Sequence, residues 1–194
     1  MSFYIKKSDF VKSATEPSHY PDDIYPEYFF AGKSNSGKSS MLNKICNRKN
    51  LAITSKTPGR TQLINFFLIN DKISFVDLPG YGYASTTKNI YNSWEKMVIN
   101  YIDQRKKITR LFLVVDIRRG IGNLDIAMIN LCKNFNINII MTKSDKLSKS
   151  EKTKIKLETT NFLSNFDNIS NIQTFSSKNG DGVSEILDII KNSS

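Results

Sequence analysis

The sequence predicts a three-layer α/β fold, in which a mostly parallel, six-stranded sheet has helices on both faces and one antiparallel edge strand. Short apolar runs alternate with segments of helical periodicity along the chain, which is the pattern of such folds. The runs 111–115 and 137–141 are continuously apolar, as is typical of parallel strands buried on both faces. Two further runs are separated only by residues 70–72, Asn-Asp-Lys, a hairpin signal that makes one strand antiparallel.

The individual elements follow from local patterns. Residues 1–27 hold three of the five prolines and show no clear periodicity, so we expect an N-terminal arm lying on a single domain, 28–194. Apolar runs predict strands at 28–31, 63–69, 73–76, 111–115, 137–141 and 171–175. Helical spacing, with a capping box formed by Ser148 and Glu151, predicts helices at 39–47, 90–102, 124–135, from 149 onward, and at 183–190.

Composition narrows the classes of protein to consider. The chain has 194 residues, a net charge of +10 and no apolar run near the roughly 18 residues that span a bilayer. Its start lacks the apolar core of a secretory signal, so we expect a soluble, cytoplasmic protein with no membrane partner. The positive charge favours an anionic partner such as nucleic acid, although a composition biased toward Lys, Asn and Ile would give the same charge.

The cysteines and the histidine carry no sign of metal or redox chemistry. Cys46 and Cys132 lack metal-ligand spacing, and we interpret both as buried free thiols. The single histidine, His19, has no companion for a metal site or a catalytic triad, so we expect a surface or packing role.

The residues after the first strand match the phosphate-binding pattern G-x-x-x-x-G-K-[ST], between a strand and a helix. Its glycines let backbone N–H groups curl toward phosphate oxygens, and the helix N-terminus adds partial positive charge. We expect Lys38 to reach the β- and γ-phosphates and the Ser39 hydroxyl to ligate Mg²⁺. The predicted phosphate-binding residues are Gly32, Lys33, Ser34, Asn35, Ser36, Gly37, Lys38 and Ser39.

A second motif, D-x-x-G, follows the strand 73–76 and is formed by Asp77, Leu78, Pro79 and Gly80. The Asp77 carboxylate is placed to hold Mg²⁺ through water, and the Gly80 N–H is placed to face the γ-phosphate. The pattern is common by itself. Its position after the second strand of the hairpin makes it the predicted metal-side motif and the start of a switch segment.

Two loops further along predict that the base is guanine. A carboxylate at Asp145 can accept from both guanine N1–H and the exocyclic amine, whereas adenine would leave it unpaired. The predicted base-binding residues are Thr142, Lys143, Ser144 and Asp145 after one strand, and Phe175, Ser176 and Ser177 after the last strand. All of these loops lie at the carboxyl ends of strands, where open α/β sheets bind ligands. Their order along the chain is that of a P-loop GTPase fold.

Residues 48–62 are polar and rich in hydroxyl groups, which predicts a first switch loop. One threonine there should complete the Mg²⁺ shell when a γ-phosphate is present; Thr61 is the first candidate and Thr57 the alternative. The nucleotide-contacting residues expected at the end of this loop are Gly59, Arg60, Thr61, Gln62 and Leu63.

Three segments together resemble the EngB family of bacterial ribosome-biogenesis GTPases. They are 58–62 (Pro-Gly-Arg-Thr-Gln), 77–84 (Asp-Leu-Pro-Gly-Tyr-Gly-Tyr-Ala) and 142–145 (Thr-Lys-Ser-Asp). The resemblance covers almost the whole chain. It implies a monomer that binds GTP and GDP, acts with the large ribosomal subunit and its rRNA during subunit assembly, and is needed for normal growth and division.

The resemblance also bears on hydrolysis. The position after D-x-x-G holds Tyr81, which cannot orient water as the Gln of Ras-like enzymes does, so we expect slow turnover that Tyr81→Ala barely alters. Asn35 resembles the P-loop Asn of potassium-activated GTPases, where K⁺ supplies positive charge, although it would also suit an ordinary loop. The predicted catalytic residues are Lys38, Thr61, Gly80 and Asn35.

Other classes of protein remain open at this point. A signalling-type small GTPase would carry Gln after D-x-x-G, a non-catalytic module would bind GTP without turnover, and an adenine-nucleotide enzyme would conflict with Asp145.

The distribution of charge adds an expectation about rRNA. Arg118 and Arg119 should lie at the nucleotide edge of the sheet, and the basic residues 105–110 at the opposite end of the preceding helix.

Overall fold

The computed structural model describes residues 3–52, 63–82 and 88–193 of the chain. Within this part, seven strands form one sheet in the order β1-β3-β4-β2-β5-β6-β7. The strands are β1 (Ser8–Ala14), β2 (Glu27–Gly32), β3 (Ile64–Ile69), β4 (Ile73–Asp77), β5 (Ile108–Asp116), β6 (Asn136–Thr142) and β7 (Ile169–Thr174). The pairs from β4 through β2, β5 and β6 to β7 are parallel, whereas β3 is antiparallel to both β1 and β4.

Helices cover both faces of this sheet. In the described residues they are α1 (Lys38–Ile45), α2 (Lys88–Gln104), α3 (Asn123–Leu131), α4 (Lys149–Phe162) and α5 (Val183–Asn192). Successive residues of a strand point to opposite faces. Tyr28 and Phe30 of β2 therefore join a buried cluster with α1 and α5, whereas Phe29 and Ala31 join a second cluster with α2 and α3. The predicted three-layer α/β fold is confirmed.

The predicted number of strands was wrong by one, because the N-terminal arm contributes β1. This strand pairs with β3, so β3 is the second strand from the edge and β1 is the edge strand. Most of β1 is exposed, which explains why it shows no apolar alternation in the sequence. The Asn70 side chain holds the chain that leads into it, accepting from the N–H groups of Lys6 and Lys7 at 2.8 and 3.0 Å.

Two local predictions are confirmed by backbone geometry. Lys72 N donates to Ile69 O at 3.1 Å and closes a turn whose central residues, Asn70 and Asp71, have φ values of 51° and 54°, the left-handed conformation of a type I′ turn. The capping box at the start of α4 is also present. Ser148 Oγ accepts from Glu151 N at 3.3 Å, and Glu151 Oε2 accepts from Ser148 N at 2.7 Å.

The cysteines are buried free thiols, as predicted, and burial raises the pKa of both Cys46 and Cys132 to about 12. His19 lies on the surface beside Glu16. Among the described residues, the helices are too short or too polar to cross a membrane.

Candidate nucleotide-binding site

The predicted loops meet at one edge of the sheet, because β2, β4, β5, β6 and β7 are parallel and end on the same side. The segments 32–39, 77–80, 142–145 and 175–177 are joined there by the contacts given below. Leu63 is half-buried just before β3. The remaining candidates of the first switch lie outside the described residues: Thr57, Gly59, Arg60, Thr61 and Gln62.

The phosphate-binding loop needs glycine at two positions. A Cβ on Gly32 would overlap the Val114 carbonyl oxygen and lie 2.7 Å from Ser36 Oγ. Gly37 has a φ of 99° directly before α1, a conformation that side chains rarely adopt, and a Cβ there would lie 3.2 Å from Thr142 Oγ1. The two glycines therefore let the loop curl tightly against β5 and β6.

Lys38 and Asp77 form an ion pair at the start of α1, and both side chains are about nine-tenths buried. Ser39 follows Lys38 in the first turn of this helix and is half-buried. One hydroxyl and one carboxylate at a phosphate-binding edge fit Mg²⁺, which usually takes few protein ligands and completes its shell with phosphate oxygens and water. The same Lys38 ammonium that would bind phosphate is here held by the carboxylate that would face the metal.

Thr142 connects the base-binding loop with the phosphate-binding loop. Its Oγ1 lies within hydrogen-bond distance of the carbonyl oxygens of Ser36 and Val115, with 3.1 Å to the latter. Thr142 is buried, so this hydroxyl is satisfied within the protein. The threonine thus fixes the spacing of two loops that would hold opposite ends of one ligand.

Asp145 contacts the loop that follows β7. Its Oδ1 accepts from Ser176 Oγ at 2.8 Å, and that hydrogen bond holds the pKa of the Asp145 carboxyl below its usual range. Two backbone bonds join the loops further, from Ser144 N to Phe175 O at 3.1 Å and from Phe175 N to Met141 O at 2.8 Å. An ionised, oriented carboxylate at this position can accept two donors from a purine edge.

Lys143 contacts Asp116, a candidate site residue that was not predicted from the sequence. Lys143 Nζ donates to Asn35 O at 2.7 Å and lies 3.0 Å from Asp116 Oδ2. Arg118 donates to both oxygens of Asp116, at 3.0 and 2.7 Å. Burial alone would raise the pKa of Asp116, but the hydrogen bonds from Arg118 and Lys143 outweigh it and hold the pKa well below its usual range. Asp116 therefore positions Lys143, one of the predicted base-binding residues.

Tyr81 makes buried contacts that the sequence did not predict. Its side chain is buried, and its hydroxyl donates to Asp125 Oδ1 at 2.7 Å. Its ring packs edge-to-face on Trp94 with 5.1 Å between centroids, and Trp94 Nε1 donates to Pro79 O at 2.8 Å. Asp125, like Asp116, was not predicted from the sequence. Removing this ring would open a void beside the D-x-x-G segment, so we no longer expect Tyr81→Ala to be neutral.

The basic residues divide into structural and surface groups. Arg105, in the group 105–110 at the opposite end of β5, is buried and donates to Glu27 at 2.5 and 3.0 Å. At the nucleotide edge Arg118 is held by Asp116, whereas Arg119 is exposed.

Beside α1, a surface cavity of about 410 Å³ opens between the predicted nucleotide residue Ser177 and the end of the helix. Its lining comprises Ser40, Asn43, Lys44, Asn47, Arg48, Lys49 and Ser177.

A phosphate-binding loop, a D-x-x-G segment and a guanine-type carboxylate at one edge of a mostly parallel sheet define a P-loop GTPase. Residues 27–144 match the family model described as 50S ribosome-binding GTPase. The chain is 47% identical to a probable GTP-binding protein EngB of Geobacter sp. (strain M21) over 152 residues, covering 77% of this chain and 71% of the relative. It is 44% identical to the EngB of Clostridium kluyveri over 197 residues, covering 96% and 95%. The chain therefore belongs to the EngB family of GTP-binding proteins and is a GTPase.

Solved structures show the same fold. A crystal structure of a probable GTP-binding protein EngB has a TM-score of 0.68 at 22% identity, covering 86% of this chain and 97% of that one. Era in complex with MgGDPNP and nucleotides of 16S ribosomal RNA has a TM-score of 0.66 at 17% identity, covering 89% and 57%. At these identities the likeness concerns the fold alone.

Proposed function

We propose that this chain hydrolyses GTP slowly by itself and, in its GTP-bound form, binds RNA of the large ribosomal subunit during subunit assembly. The observation that carries the choice of nucleotide is Asp145, a carboxylate oriented by Ser176 at the same edge as the phosphate-binding loop. We further infer a cytoplasmic monomer in which the N-terminal arm and residues 28–194 act as one unit, which the pairing of β1 with β3 supports.

In the proposed reaction Lys38 leaves Asp77 for the β- and γ-phosphates. Ser39 and Asp77, with Thr61 from the first switch, would hold Mg²⁺, and the ion would offset the negative charge of the phosphates. The Gly80 N–H donates to the γ-phosphate. Slow turnover is supported by Tyr81, whose hydroxyl is committed to Asp125 and is not available to orient water.

The positive charge that an arginine would supply in other GTPases is assigned to K⁺ held by Asn35. Asn35 is exposed at the tip of the phosphate-binding loop, and its backbone has a φ of 63°, held by Lys143 on its carbonyl oxygen. We expect hydrolysis to be faster in KCl than in NaCl at equal ionic strength, and Asn35→Ala to abolish the difference. Single-turnover assays measure both rates. Equal rates of the unaltered chain in the two salts would contradict the potassium proposal and leave GTP binding untouched.

Binding to RNA is supported by exposed cations at the nucleotide edge and around the cavity at the end of α1. Lys44, Arg48, Lys49 and Arg119 are exposed, and among the described residues none of the four forms an ion pair with a carboxylate. Cations that contact phosphates release counterions, so such binding weakens steeply with salt. Arg118 is not included, because reversing its charge would disturb Asp116 and Lys143.

The test is pelleting with large-subunit particles under GTP-analogue and GDP conditions at rising salt. In one variant Arg48, Lys49 and Arg119 are all changed to Glu; in the matched control Lys149, Lys154 and Lys156, exposed on α4, are changed in the same way. We expect pelleting with the GTP analogue to be lost in the first variant alone, with nucleotide affinity measured separately for both. Equal loss in the control variant, or pelleting indifferent to the nucleotide, would contradict the proposal.

A further inference from the structure

Asp125 accepts hydrogen bonds from Tyr81 and Gly122 and forms an ion pair with Lys33, so it joins three segments of the nucleotide edge. It lies in the first turn of α3, and its side chain is 1% exposed. Lys33 Nζ, from the phosphate-binding loop, lies 2.9 Å from Oδ2, and the Tyr81 hydroxyl, directly after D-x-x-G, donates to Oδ1 at 2.7 Å. Gly122 N donates to Oδ2 at 2.8 Å. We refer to these four residues as the Asp125 cluster.

The backbone of Tyr81 is paired with the phosphate-binding loop as well. Ser34 N donates to Tyr81 O at 2.8 Å, and Tyr81 N donates to Gly32 O at 3.3 Å. Gly80 lies so close that a Cβ on it would be 3.2 Å from the backbone of Ser34. The place of the Gly80 N–H relative to the phosphate-binding loop therefore depends on where Tyr81 is held.

Helix capping alone does not account for this arrangement. Asp125 is the third residue of α3 and accepts from the N–H of the N-cap residue Gly122, as Glu151 accepts from the N–H of Ser148 at the start of α4. Glu151 performs that task while exposed. Asp125 is buried, which costs free energy for a carboxylate unless charged and polar partners offset it, and those partners come from the two loops that would contact the γ-phosphate.

We propose that Asp125 is a positioning residue for GTP hydrolysis, which holds Lys33 and Tyr81 together and so fixes the Gly80 N–H against the phosphate-binding loop. The proposal rests on the proposed role of Gly80 at the γ-phosphate. Loss of the contact between Tyr81 and Asp125 lets the D-x-x-G segment move away from the phosphate-binding loop. Positioning for the transition state then suffers more than nucleotide affinity, because Lys38 and Asp145 bind the nucleotide without help from the Asp125 cluster.

The chain contains a reporter for this contact. Trp94 is the single tryptophan, and its indole contacts both Pro79 and the Tyr81 ring. A displacement of the segment 79–81 changes the surroundings of the indole directly. Tryptophan emission therefore measures the position of the D-x-x-G segment without requiring hydrolysis.

Tyr81→Phe and Asp125→Asn test the proposal, singly and combined. Tyr81→Phe removes one hydroxyl and keeps the ring on Trp94; Asp125→Asn keeps the volume and removes the charge facing Lys33. We expect each to lower single-turnover hydrolysis about tenfold, as loss of a hydrogen bond to a charged group does, with GTP affinity changed less than about threefold. Because Tyr81→Phe and Asp125→Asn each weaken the link from Lys33 through Asp125 to Tyr81, the combined loss should be smaller than the product of the two.

Two matched controls separate positioning from stability. Glu151→Gln removes the corresponding capping carboxylate of α4, and Tyr28→Phe removes another buried hydroxyl, bonded to Ile190 O at 3.0 Å. Neither should slow hydrolysis. The proposal is overturned if the Tyr81 and Asp125 variants hydrolyse GTP within twofold of the unaltered chain, or if Glu151→Gln is equally slow.

The experiments distinguish failure of this proposal from failure of the proposed GTP hydrolysis. If the unaltered chain does not hydrolyse GTP, that function fails, and Trp94 emission still decides the role of Asp125. Adding a non-hydrolysable GTP analogue should change the emission of the unaltered chain and change it less in both variants. Equal emission changes in all three proteins would overturn the role of Asp125.

Discussion

Asp145 has one carboxylate oxygen engaged by Ser176 and lies near the Lys146 ammonium, 3.9 Å from Oδ2. The serine fixes the plane of the carboxylate before any base is present. Two hydrogen bonds to the guanine edge are at stake, each worth about 1.5–3 kcal/mol when one partner is charged. We therefore expect the discrimination between guanine and adenine to depend on the charge and the orientation of the Asp145 side chain.

Asp145→Asn should weaken GTP binding and shift the preference toward xanthine nucleotides, because an amide can donate to the O2 that replaces the guanine amine. Equilibrium binding of GTP and XTP measures the shift. Asp181→Asn is the matched control, since Asp181 is an exposed carboxylate in the next turn, bonded to Asn179. Unchanged GTP affinity in the Asp145 variant would contradict the assignment of this loop.

The sequence motifs did not predict several single residues that contact the candidate site or stabilise the fold. Asp116 ends β5 as Asp77 ends β4, so its place after an apolar strand was a usable signal, but no motif surrounds it. Asp125 gave a weaker signal, a carboxylate in the first turn of a helix. Its link to Lys33 and Tyr81 joins residues far apart in the sequence, which local patterns cannot show. Arg105 is similar, because its partner Glu27 comes from the start of β2.

At the scale of elements, the strands that are buried on both faces could be predicted from the sequence, whereas the exposed edge strand could not. β5 and β6 are apolar because both faces are covered, and they were predicted within a few residues of their bounds. β1 is an edge strand with most residues exposed, so it has no apolar pattern, and its pairing depends on β3 and the Asn70 side chain. The phosphate-binding loop was predicted because its geometry demands glycine at fixed spacing, a constraint that is local to the sequence.

At the scale of the whole molecule, the candidate site is formed by loops that follow most strands of the sheet. Each strand of the parallel part ends in a loop at the site. Contacts across these loops link β2 with β4 and β6, and link β6 with β5 and β7. Buried charges, among them Lys38, Asp77 and Asp116, are concentrated at the same edge. A ligand that supplies phosphates to this edge therefore stabilises the native chain as a unit.

We expect GDP with Mg²⁺ to raise the melting temperature of the whole chain. A ligand that binds only the native state at one hundred times its Kd adds about 2.7 kcal/mol to the free energy of unfolding. For a chain of 194 residues this corresponds to a rise of about 5–10 °C. ADP at the same concentration should raise the melting temperature much less, because adenine leaves the Asp145 carboxylate without donors. In Asp145→Asn the shift with GDP should shrink while the melting temperature without nucleotide stays close to that of the unaltered chain. Thermal unfolding followed by circular dichroism measures all of these values, and equal shifts with GDP and ADP would contradict guanine selection at this edge.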